Sequence, residues 1–371
     1  MEGGFRLALA GDVMTGRGID QILPHPAAPQ LQERWVKDAR CYVTLAEDLN
    51  GPVPRPAGYG YPWGETLAAL ETFAPDAAVM NLETSVTATG APAPGKGIHY
   101  RMSPGNLDTL RCPGAVVWSL ANNHVLDHGR EGLESTLRAL ADAGLSATGA
   151  GRDLHEAWRP AEAPTEGRAR ARVLGVAHGS SGTPSGWAAG EARSGVALLP
   201  DLSAATAERV ALRVRSTRPG RGPAVVSVHW GSNWGYRVGA DEVRFARRLV
   251  DLGVDVVHGH SSHHPRPLEV YRGRLVLYGC GDLLSDYEGI SGYDEYRGEL
   301  RLLYLCTLAS GGALRELRMV PFRSHRLRLE RTSPSDARWL ARTLEHASHP
   351  FGTTVRLAAD GELVVALKTP A

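Results

Sequence analysis

The residues Ser119–Glu134, SLANNHVLDHGREGLE, decide how the rest of this 371-residue chain is interpreted. They overlap an apolar run, Ala115–Leu120, that is typical of a buried strand. Two amides, two imidazoles and a carboxylate then crowd together, and the amphipathic pattern of a helix follows at once. Open α/β sheets place their chemistry where a buried strand ends and a helix begins. The stretch therefore predicts a functional loop at the edge of an α/β sheet.

The bulk composition limits the classes of protein to which the chain can belong. Its hydrophobic content of 43% and its charged content of 22% are those of an ordinary globular protein. A formal net charge of +1 argues against the basic surface on which nucleic-acid binding depends. The first residues lack a signal-peptide pattern, no apolar run has the length of a membrane helix, and the cysteines form no CxxC pair. We therefore expect a cytoplasmic protein with neither a nucleic-acid nor a membrane partner.

Polar residues that can bind a metal follow each of five predicted strands. They are Asp12, then Asn81 and Glu83, then Asn123 and His124, then His229, and finally His260 and His263. A doubly wound sheet brings the carboxyl ends of its strands to one crevice, so we expect these side chains to form a single site. Carboxylate, amide and imidazole groups without a thiolate are typical ligands of a hard or borderline divalent ion. A structural role accounts for any one of these histidines more easily than for the whole set.

Two further groups of residues are candidates for binding a substrate. The polar loop Thr87–Met102 carries Lys96, His99, Tyr100 and Arg101. Such a loop either binds an anionic group or is simply solvated, and the sequence leaves both alternatives open. Tryptophans in or beside the site segments either hold an aromatic group of the substrate or pack in the core. The predicted substrate-binding residues are Trp63, Arg101, Trp230 and Trp234.

Five motifs, taken in order, resemble those of the CapA family of capsule and poly-γ-glutamate biosynthesis proteins. They are GDVMTGR, NLET, LANNHVLDHGREGLEST, HWGSN and GHSSHHPRPLEVYRGRLVLYGCGD, which span about Leu7–Asp286. That family belongs to the calcineurin-like metallophosphatase superfamily. The resemblance implies an α/β fold of two packed mixed β-sheets flanked by helices, with the metal site at one edge. We expect a catalytic domain over residues 1–325, on which a C-terminal helix and β-hairpin, residues 326–371, are packed.

The superfamily pattern implies a role for most of the strand-end residues. Asp12 matches the first metal aspartate, Asn123 the metal-binding asparagine and His124 the catalytic histidine. The remaining imidazole positions of the pattern match His229, His260 and His263. The resemblance therefore indicates the same candidate residues as the positions of the strand ends.

The sequence also departs from the superfamily pattern at two positions. Met14 stands where a histidine is expected, and the bridging aspartate has no clear match, Glu83 or Asn81 being the nearest residue. One half of the usual two-metal centre is therefore depleted. We predict a single divalent ion, Ca²⁺ or alternatively Mn²⁺, Mg²⁺ or Zn²⁺. Its predicted ligands are Asp12, Glu83, Asn123, His229 and His260.

The surplus histidines and carboxylates favour proton transfer over phosphoryl transfer. His124 and Asp127 form one predicted His/carboxylate pair. The second pair joins His260 or His263 to Asp12 or Asp282. A carboxylate fixes the tautomer of an imidazole and raises its basicity. Two such pairs on opposite faces of a substrate would remove a proton from one side and return it on the other. This layout resembles that of the lasso-peptide epimerases, a branch of the same superfamily.

Three functional hypotheses follow, in order of preference. The first is a metal-dependent epimerase that inverts the Cα of a peptide substrate, at the C-terminal residue of a lasso precursor. Its catalytic residues are His124, Asp127, His260, His263 and Asp12. The second is a metallophosphoesterase, which the Asn-Asn-His motif favours and Met14 opposes. The third is a non-catalytic component of capsule or poly-γ-glutamate biosynthesis, which the lack of a membrane segment opposes.

Overall fold

A computed structural model describes residues 4–163, 170–215 and 222–367. The strands are β1 (Phe5–Val13), β2 (Ala77–Leu82), β3 (Ser85–Val86), β4 (Arg101–Met102), β5 (Val116–Ser119), β6 (Ser146–Thr148), β7 (Ala150–Gly151), β8 (Ala161–Glu162), β9 (Arg172–His178), β10 (Gly195–Val196), β11 (Leu198–Leu199), β12 (Ala224–His229), β13 (Val256–His260), β14 (Leu268–Tyr271), β15 (Arg274–Leu277), β16 (Asp282–Leu284), β17 (Leu300–Leu308), β18 (Leu314–His325), β19 (Arg328–Arg331), β20 (Thr354–Leu357) and β21 (Leu363–Ala366). The α-helices are α1 (Arg17–Ile22), α2 (Arg40–Asn50), α3 (Thr66–Phe73), α4 (Gly129–Asp142), α5 (Leu154–Ala157), α6 (Ala204–Arg215), α7 (Ala240–Asp251) and α8 (Pro334–Ser348).

Most of the strands belong to two large mixed sheets. The first has the order β20-β21-β18-β17-β1-β2-β5-β6, with β16 paired to β1 and β19 to β18. The second has the order β11-β9-β12-β13-β15-β14, with β8 paired to β9. In the first sheet β1 is parallel to β2 on one side and antiparallel to β17 on the other. The predicted α/β architecture of two mixed sheets flanked by helices is confirmed.

The main core lies between the two sheets because successive side chains of a strand point to opposite faces. Leu7 and Leu9 of β1 belong to one buried cluster with Val225 of β12 and Val256 of β13. Ala8, on the other face of β1, belongs to a second cluster that includes residues of α3 and α4. Residues of α6 and α7 cover the outer face of the second sheet in a third cluster. Each sheet is therefore buried on both faces.

The sequence predicts strands that end at Ala10, Met80, Val228 and Val257, and the structure continues each of the four by one to three residues. β1 continues beyond Ala10 to Val13, so that Asp12 lies within the strand. β13 runs to His260 instead of ending at Val257. Sheet hydrogen bonds hold the backbone at Asp12 and at His260, so the positions of these two residues do not depend on a loop.

The predicted helix over Gln30–Asp48 is only partly correct. The first ten residues form an irregular loop that an isolated bridge between Gln30 and Asp38 closes. The helix begins at Arg40, after the backbone N–H of Ala39 has paired with the carbonyl of Pro29. These pairings occupy backbone groups that a longer helix would need.

The C-terminal residues extend the first sheet. The hairpin β20–β21 joins the sheet through β21, which pairs antiparallel with β18. Leu340 and Leu344 of α8 lie in the same core cluster as Leu7 of β1. The predicted domain boundary after residue 325 falls between β18 and β19, two strands that pair with each other. Residues 368–371 lie outside the described residues, and the division into two domains stays a prediction.

The cysteines and the helices complete the description of the chain. All four cysteines are free thiols; Cys280 and Cys306 are buried, whereas Cys41 is exposed. Among the described residues, no helix combines the length and the apolar character that crossing a membrane requires.

A buried ion pair fixes the start of α1 to the segment that follows β16. The Arg17 guanidinium donates to both carboxylate oxygens of Asp286, at 3.1 Å from Nε and 2.5 Å from Nη2. The Nη1 atom of Arg17 donates to Glu33 at 2.8 Å, and its Cζ atom lies 3.8 Å from the ring centroid of Tyr42. All of these side chains are buried. The charge of Arg17 is thus balanced inside the protein by two carboxylates.

Replacing Asp286 with alanine should destabilise the protein strongly. The Asp286→Ala variant leaves a buried guanidinium with half of its partners, a change that typically costs about 3 kcal/mol. Urea unfolding followed by circular dichroism measures the loss. The matched control is Asp241→Ala, which breaks an exposed pair with Arg244 and should cost less than about 1 kcal/mol. Equal losses in the two variants would contradict the stabilising role of the buried pair.

Candidate metal centre

Strands from both sheets end at one edge of the molecule. Asp12 of β1 is aligned with Asn81 of β2 and with Asp282 of β16. In the second sheet His229, the last residue of β12, is aligned with His260, the last residue of β13. All five side chains are buried. The first sheet therefore supplies carboxylate and amide groups, and the second supplies imidazoles.

A chain of hydrogen bonds joins the two sheets beside these residues. His258 Nε2 donates to the carbonyl of Ala10 at 2.9 Å. The hydroxyl of Ser227 lies 3.0 Å from His258 Nδ1 and 2.9 Å from His260 Nε2. Because Nε2 of His260 is occupied, its Nδ1 faces Asp12 Oδ1 at 3.7 Å. The hydroxyl of Ser227 therefore orients the imidazole of His260, as hydrogen-bond partners of ligands do in metal sites.

The approach of β16 to β1 requires a glycine at position 11. The backbone N–H of Asp12 donates to the carbonyl of Gly281 at 3.1 Å. A Cβ atom on Gly11 would overlap with that carbonyl oxygen. The absence of a side chain at Gly11 is what allows Asp282 to lie beside Asp12.

The five predicted metal ligands lie in one cluster, of which all but the half-buried Asn123 are buried. Ligand atoms of Asp12, His229 and His260 all lie within 4.8 Å of one another. The two Nδ1 atoms of the histidines are 2.9 Å apart. On its other side, His229 Nε2 lies 3.2 Å from Asn123 Oδ1 and 3.6 Å from Glu83 Oε1. Their role as ligands stays a prediction, but the structure brings all five together.

A second group of potential ligands shares Asp12 with the first. It consists of Asp12, His263 and Asp282. His263 Nδ1 lies 3.1 Å from Asp282 Oδ1, within hydrogen-bonding distance. Arg301 Nη1 is 3.9 Å from Asp282 Oδ2, which has no hydrogen-bond partner among the described residues. Since His263 and Arg301 both face Asp282, this group is already partly neutralised.

The electrostatics of the cluster favour a bound cation. Burial, followed by the charges of Glu83 and Asp282, raises the pKa of Asp12 well above its ordinary value. Burial likewise raises the pKa of Glu83 to about 8. Burial and neighbouring imidazoles lower the pKa values of His229 and His260. A divalent ion would stabilise both the ionised carboxylates and the neutral imidazoles, so these residues fit a metal.

The donor atoms also bear on which ion would bind. Two of the three residues in the first group, His229 and His260, offer nitrogen. Zinc and manganese accept imidazole together with carboxylate, whereas calcium prefers a shell of oxygen atoms. The donor set therefore favours Zn²⁺ or Mn²⁺ over the predicted Ca²⁺. The identity and the number of ions stay predictions.

His124 lies beside the cluster and is held by three neighbours. Its Nδ1 is 2.6 Å from Asp127 Oδ2, and the other oxygen of Asp127 accepts from Lys96 Nζ at 2.5 Å. The ring of Tyr100 stacks on the imidazole, with centroids 3.9 Å apart. Burial outweighs the attraction of Asp127 and lowers the pKa of His124 to about 4. The neutral ring bonds to Asp127 through Nδ1, while Nε2 lies 4.0 Å from Glu83 Oε1.

Comparison with known proteins places the chain in a family. Residues 6–287 match the family described as bacterial capsule synthesis protein PGA_cap. The chain belongs to the PGA_cap family. This confirms the predicted CapA-type family, while the narrower lasso-peptide epimerase branch stays a prediction.

Similar proteins cover different shares of this PGA_cap chain. A protein of Mycobacterium tuberculosis (strain CDC 1551 / Oshkosh) named "Probable polyglutamine synthesis accessory protein" is 50% identical over 359 residues, which cover 96% of this chain and 94% of that protein. "PGA biosynthesis protein CapA" of Bacillus subtilis (strain 168) is 28% identical over 191 residues, which cover 52% and 48%. A crystal structure of a 5'-nucleotidase precursor from Thermus thermophilus matches 93% of this chain and 58% of that chain, at 14% identity and a TM-score of 0.42.

Two neighbours of His124 in this PGA_cap protein were not predicted for the site. Lys96 and Tyr100 belong to the loop Thr87–Met102, for which the sequence leaves a solvated loop open. The loop returns to the site because Arg101 and Met102 form β4, which pairs with β3. Two strands of two residues each give no detectable periodicity. The one usable signal is the basic and aromatic composition of the loop.

The structure contradicts the predicted substrate-binding role of Trp63 and Trp230. Both side chains are 0% exposed. Trp63 Nε1 donates to the carbonyl of Thr109 at 2.8 Å, and Trp230 Nε1 donates to that of Tyr278 at 3.0 Å. Each indole thus has its hydrogen bond inside the core, where a large aromatic residue is most stabilising.

The other two predicted substrate-binding residues lie in different places. Trp234 is half-buried beside His263, with ring centroids 5.4 Å apart, and it stacks on Tyr293 at 4.4 Å. Its role in binding a substrate stays a prediction. Arg101 instead lines a separate cavity, and its Nη2 donates to the carbonyl of Ala28 at 3.2 Å. The structure therefore separates Arg101 from the metal cluster.

Replacing Asp12 should remove the metal from the protein. Asp12 belongs to both groups of potential ligands, so Asp12→Asn should weaken Mn²⁺ or Zn²⁺ binding by more than about 100-fold. Titration of the chelator-treated protein, together with elemental analysis, measures affinity and stoichiometry. The matched variant is His263→Gln, which alters the second group alone and should keep one ion per chain. Unchanged metal content in Asp12→Asn would contradict this assignment, and equal loss in both variants would move the ion to the second group.

Proposed function

We propose that this protein is an accessory component in the synthesis of a glutamine or glutamate polymer and that its role requires the metal centre. The observation that carries the proposal is 50% identity across 96% of the chain to a relative named as a polyglutamine synthesis accessory protein. The name of the Bacillus subtilis relative, a PGA biosynthesis protein, supports the same role. The polymer-synthesis alternative thus replaces the epimerase as the preferred hypothesis.

The residues of the cluster support a metal-dependent role. In this proposal Asp12, His229 and His260 hold a divalent ion, and Asn123 and Glu83 complete its surroundings. A bound ion of this kind polarises a carbonyl or carboxylate oxygen. The protein's own groups orient the polymer and exclude water from this buried edge.

The side chain of His124 is suited to hold or move a proton next to that ion. Its Nδ1–H is directed at Asp127, which leaves Nε2 as the acceptor on the side of Glu83. Lys96 fixes Asp127 through a charge-assisted hydrogen bond, so the pair keeps one orientation. The polymer substrate and the predicted cytoplasmic location are parts of the proposal.

Genetic complementation tests the proposed role directly. A Mycobacterium tuberculosis strain that lacks the 50% identical relative should lose its cell-associated glutamine or glutamate polymer, and this chain should restore it. Acid hydrolysis of washed cell envelopes followed by amino-acid analysis measures the polymer. The Asp12→Asn variant should fail to restore it, whereas Trp35→Ala, which alters a residue that is 82% exposed, should restore it fully.

Two outcomes of this experiment would contradict the proposal. Failure of the unaltered chain, expressed at the level of the native relative, would contradict the role in polymer synthesis. Full restoration by Asp12→Asn would contradict the requirement for the metal centre while leaving the accessory role intact.

A second candidate, Cα proton exchange on a peptide, is favoured by one specific observation. Two His/carboxylate pairs, His124 with Asp127 and His263 with Asp282, lie at 2.6 Å and 3.1 Å beside the cluster around Asp12. Two such pairs are what an epimerase needs, because one group removes the proton and the other returns it. This candidate differs from an accessory role in the chemistry that it requires of His124.

Isotope exchange tests the second candidate. If the protein epimerises a peptide residue, incubation of a glutamate or glutamine oligomer in D₂O with the metal-loaded protein should place deuterium at Cα. His124→Gln should reduce the exchange by at least about 100-fold, since it removes a positioned general base. Mass spectrometry of the hydrolysed oligomer measures the label, and His346→Gln, at an exposed histidine, is the control. Absence of label with the unaltered protein would contradict an epimerase acting on this polymer.

A further inference from the structure

A cavity separate from the metal cluster is lined in part by Arg101 and His128, which follow Tyr100 and Asp127 in the chain. It has a volume of about 240 Å³. Its polar lining includes Gln21, Gln30, Gln32, His99, Arg101 and His128. In the part of the chain that the structure describes, the predicted metal ligands do not line it. The cavity is therefore distinct from the metal cluster, and its ligand follows from its own lining.

Arg101 brings to this cavity a positive charge that the carboxylate of Asp20 balances only at a distance. Arg101 forms no ion pair with a carboxylate among the described residues, and its one hydrogen bond is to the carbonyl of Ala28. The nearby carboxylate of Asp20 already has its hydrogen bonds from other donors. Those donors are the backbone N–H groups of Ala27 and Ser103 and the amide of Asn106. Arg17, which also lines the cavity, is balanced by Asp286 and Glu33.

Two buried histidines offer unpartnered nitrogens at the same cavity. His99 and His128 are each 5% exposed, and their ring centroids are 6.3 Å apart. Nδ1 of His99 lacks a hydrogen-bond partner among the described residues, and so does one ring nitrogen of His128, whose other nitrogen faces the backbone of Gly90. Buried polar atoms are almost always paired, so such a set is typical of a site whose ligand supplies the missing partner.

The combined lining selects a carboxylate as the ligand. An unpaired guanidinium binds a planar carboxylate through two parallel hydrogen bonds. The imidazoles and the glutamine amides add neutral donors around it. The volume fits one amino-acid residue and excludes a folded chain. We infer that this cavity binds the side-chain carboxylate of a single glutamate residue in the polymer. The identity of that residue as glutamate rests on the proposed function.

The position of the cavity gives this ligand a role in the metal-dependent step. Arg101 follows Tyr100, which stacks on His124, and His128 follows Asp127, which bonds to His124. Tyr100 and Asp127 therefore contact His124, while the residues that follow them line the cavity. A glutamate held by Arg101 places the adjoining part of the polymer next to His124.

Binding of a glutamate oligomer tests the inference. The probe is a fluorescein-labelled tetraglutamate, titrated with the full chain in EDTA so that a metal-bound carboxylate cannot contribute. Arg101→Gln should weaken the Kd at least tenfold, and Arg101→Lys should recover part of the loss. The control is Arg152→Gln, at an exposed arginine that is paired with Glu156, and it should bind like the unaltered protein. A labelled tetraglutamine should bind at least tenfold more weakly than tetraglutamate.

The outcomes separate this site from the proposed function. Equal affinity of Arg101→Gln and the unaltered protein, equal affinity for the two oligomers, or no measurable binding would overturn the inference. Circular dichroism and metal content show whether Arg101→Gln is folded, and the lysine variant tests the charge in an intact fold. A chain that restores polymer in cells but binds tetraglutamate independently of Arg101 retains the function and loses the site. A chain that binds through Arg101 without restoring polymer retains the site and loses the function.

Discussion

The hydrogen bond from His258 to the carbonyl of Ala10 joins the two sheets directly beside the metal cluster. Burial lowers the pKa of His258 to about 4, so the imidazole is neutral and donates through one nitrogen only. That nitrogen is committed to β1, and the other faces the hydroxyl of Ser227. The same hydroxyl orients His260. One neutral imidazole therefore joins the two sheets and helps to orient a predicted metal ligand.

The division of ligands between the sheets makes the site a product of their packing. The first sheet contributes buried carboxylates that repel one another, and the second contributes imidazoles whose charged forms are disfavoured by burial. Neither set forms a metal site on its own. When β1 and β13 pack together, Asp12 meets His260, and the cluster acquires a mixed donor set that a divalent ion stabilises. The stability of the junction and the affinity for metal are therefore linked.

The sequence predicts which polar residues gather at the edge of the sheets better than it predicts where each strand ends. The pattern of strand ends predicts that Asp12 lies with His229 and His260 at one edge of a single sheet, and the structure brings them together from two sheets instead. The sequence-based prediction is wrong where it assumes that a residue near a site segment in the chain is also near the site in space. Trp63 and Trp230 are near site segments in the chain, but both indoles are packed in the core.

Short pairings account for the residues that the sequence does not place. Tyr100 immediately precedes β4 and Arg101 begins it, yet Tyr100 stacks on His124 and Arg101 lines the separate cavity. Lys96 reaches Asp127 only because this two-residue strand returns the loop to the site. Periodicity detects strands of five residues, not of two.

The position of β1 has a consequence for how the chain folds. The strand lies far from its antiparallel neighbour β17 along the chain, with Phe5 opposite Leu308. Until that late segment leaves the ribosome, one edge of β1 has no strand to pair with. An apolar strand with a free edge is prone to aggregate, and pairings between distant residues form slowly. The central sheet is therefore completed only after β17 has formed, and we expect the unpaired edge of β1 to need protection until then.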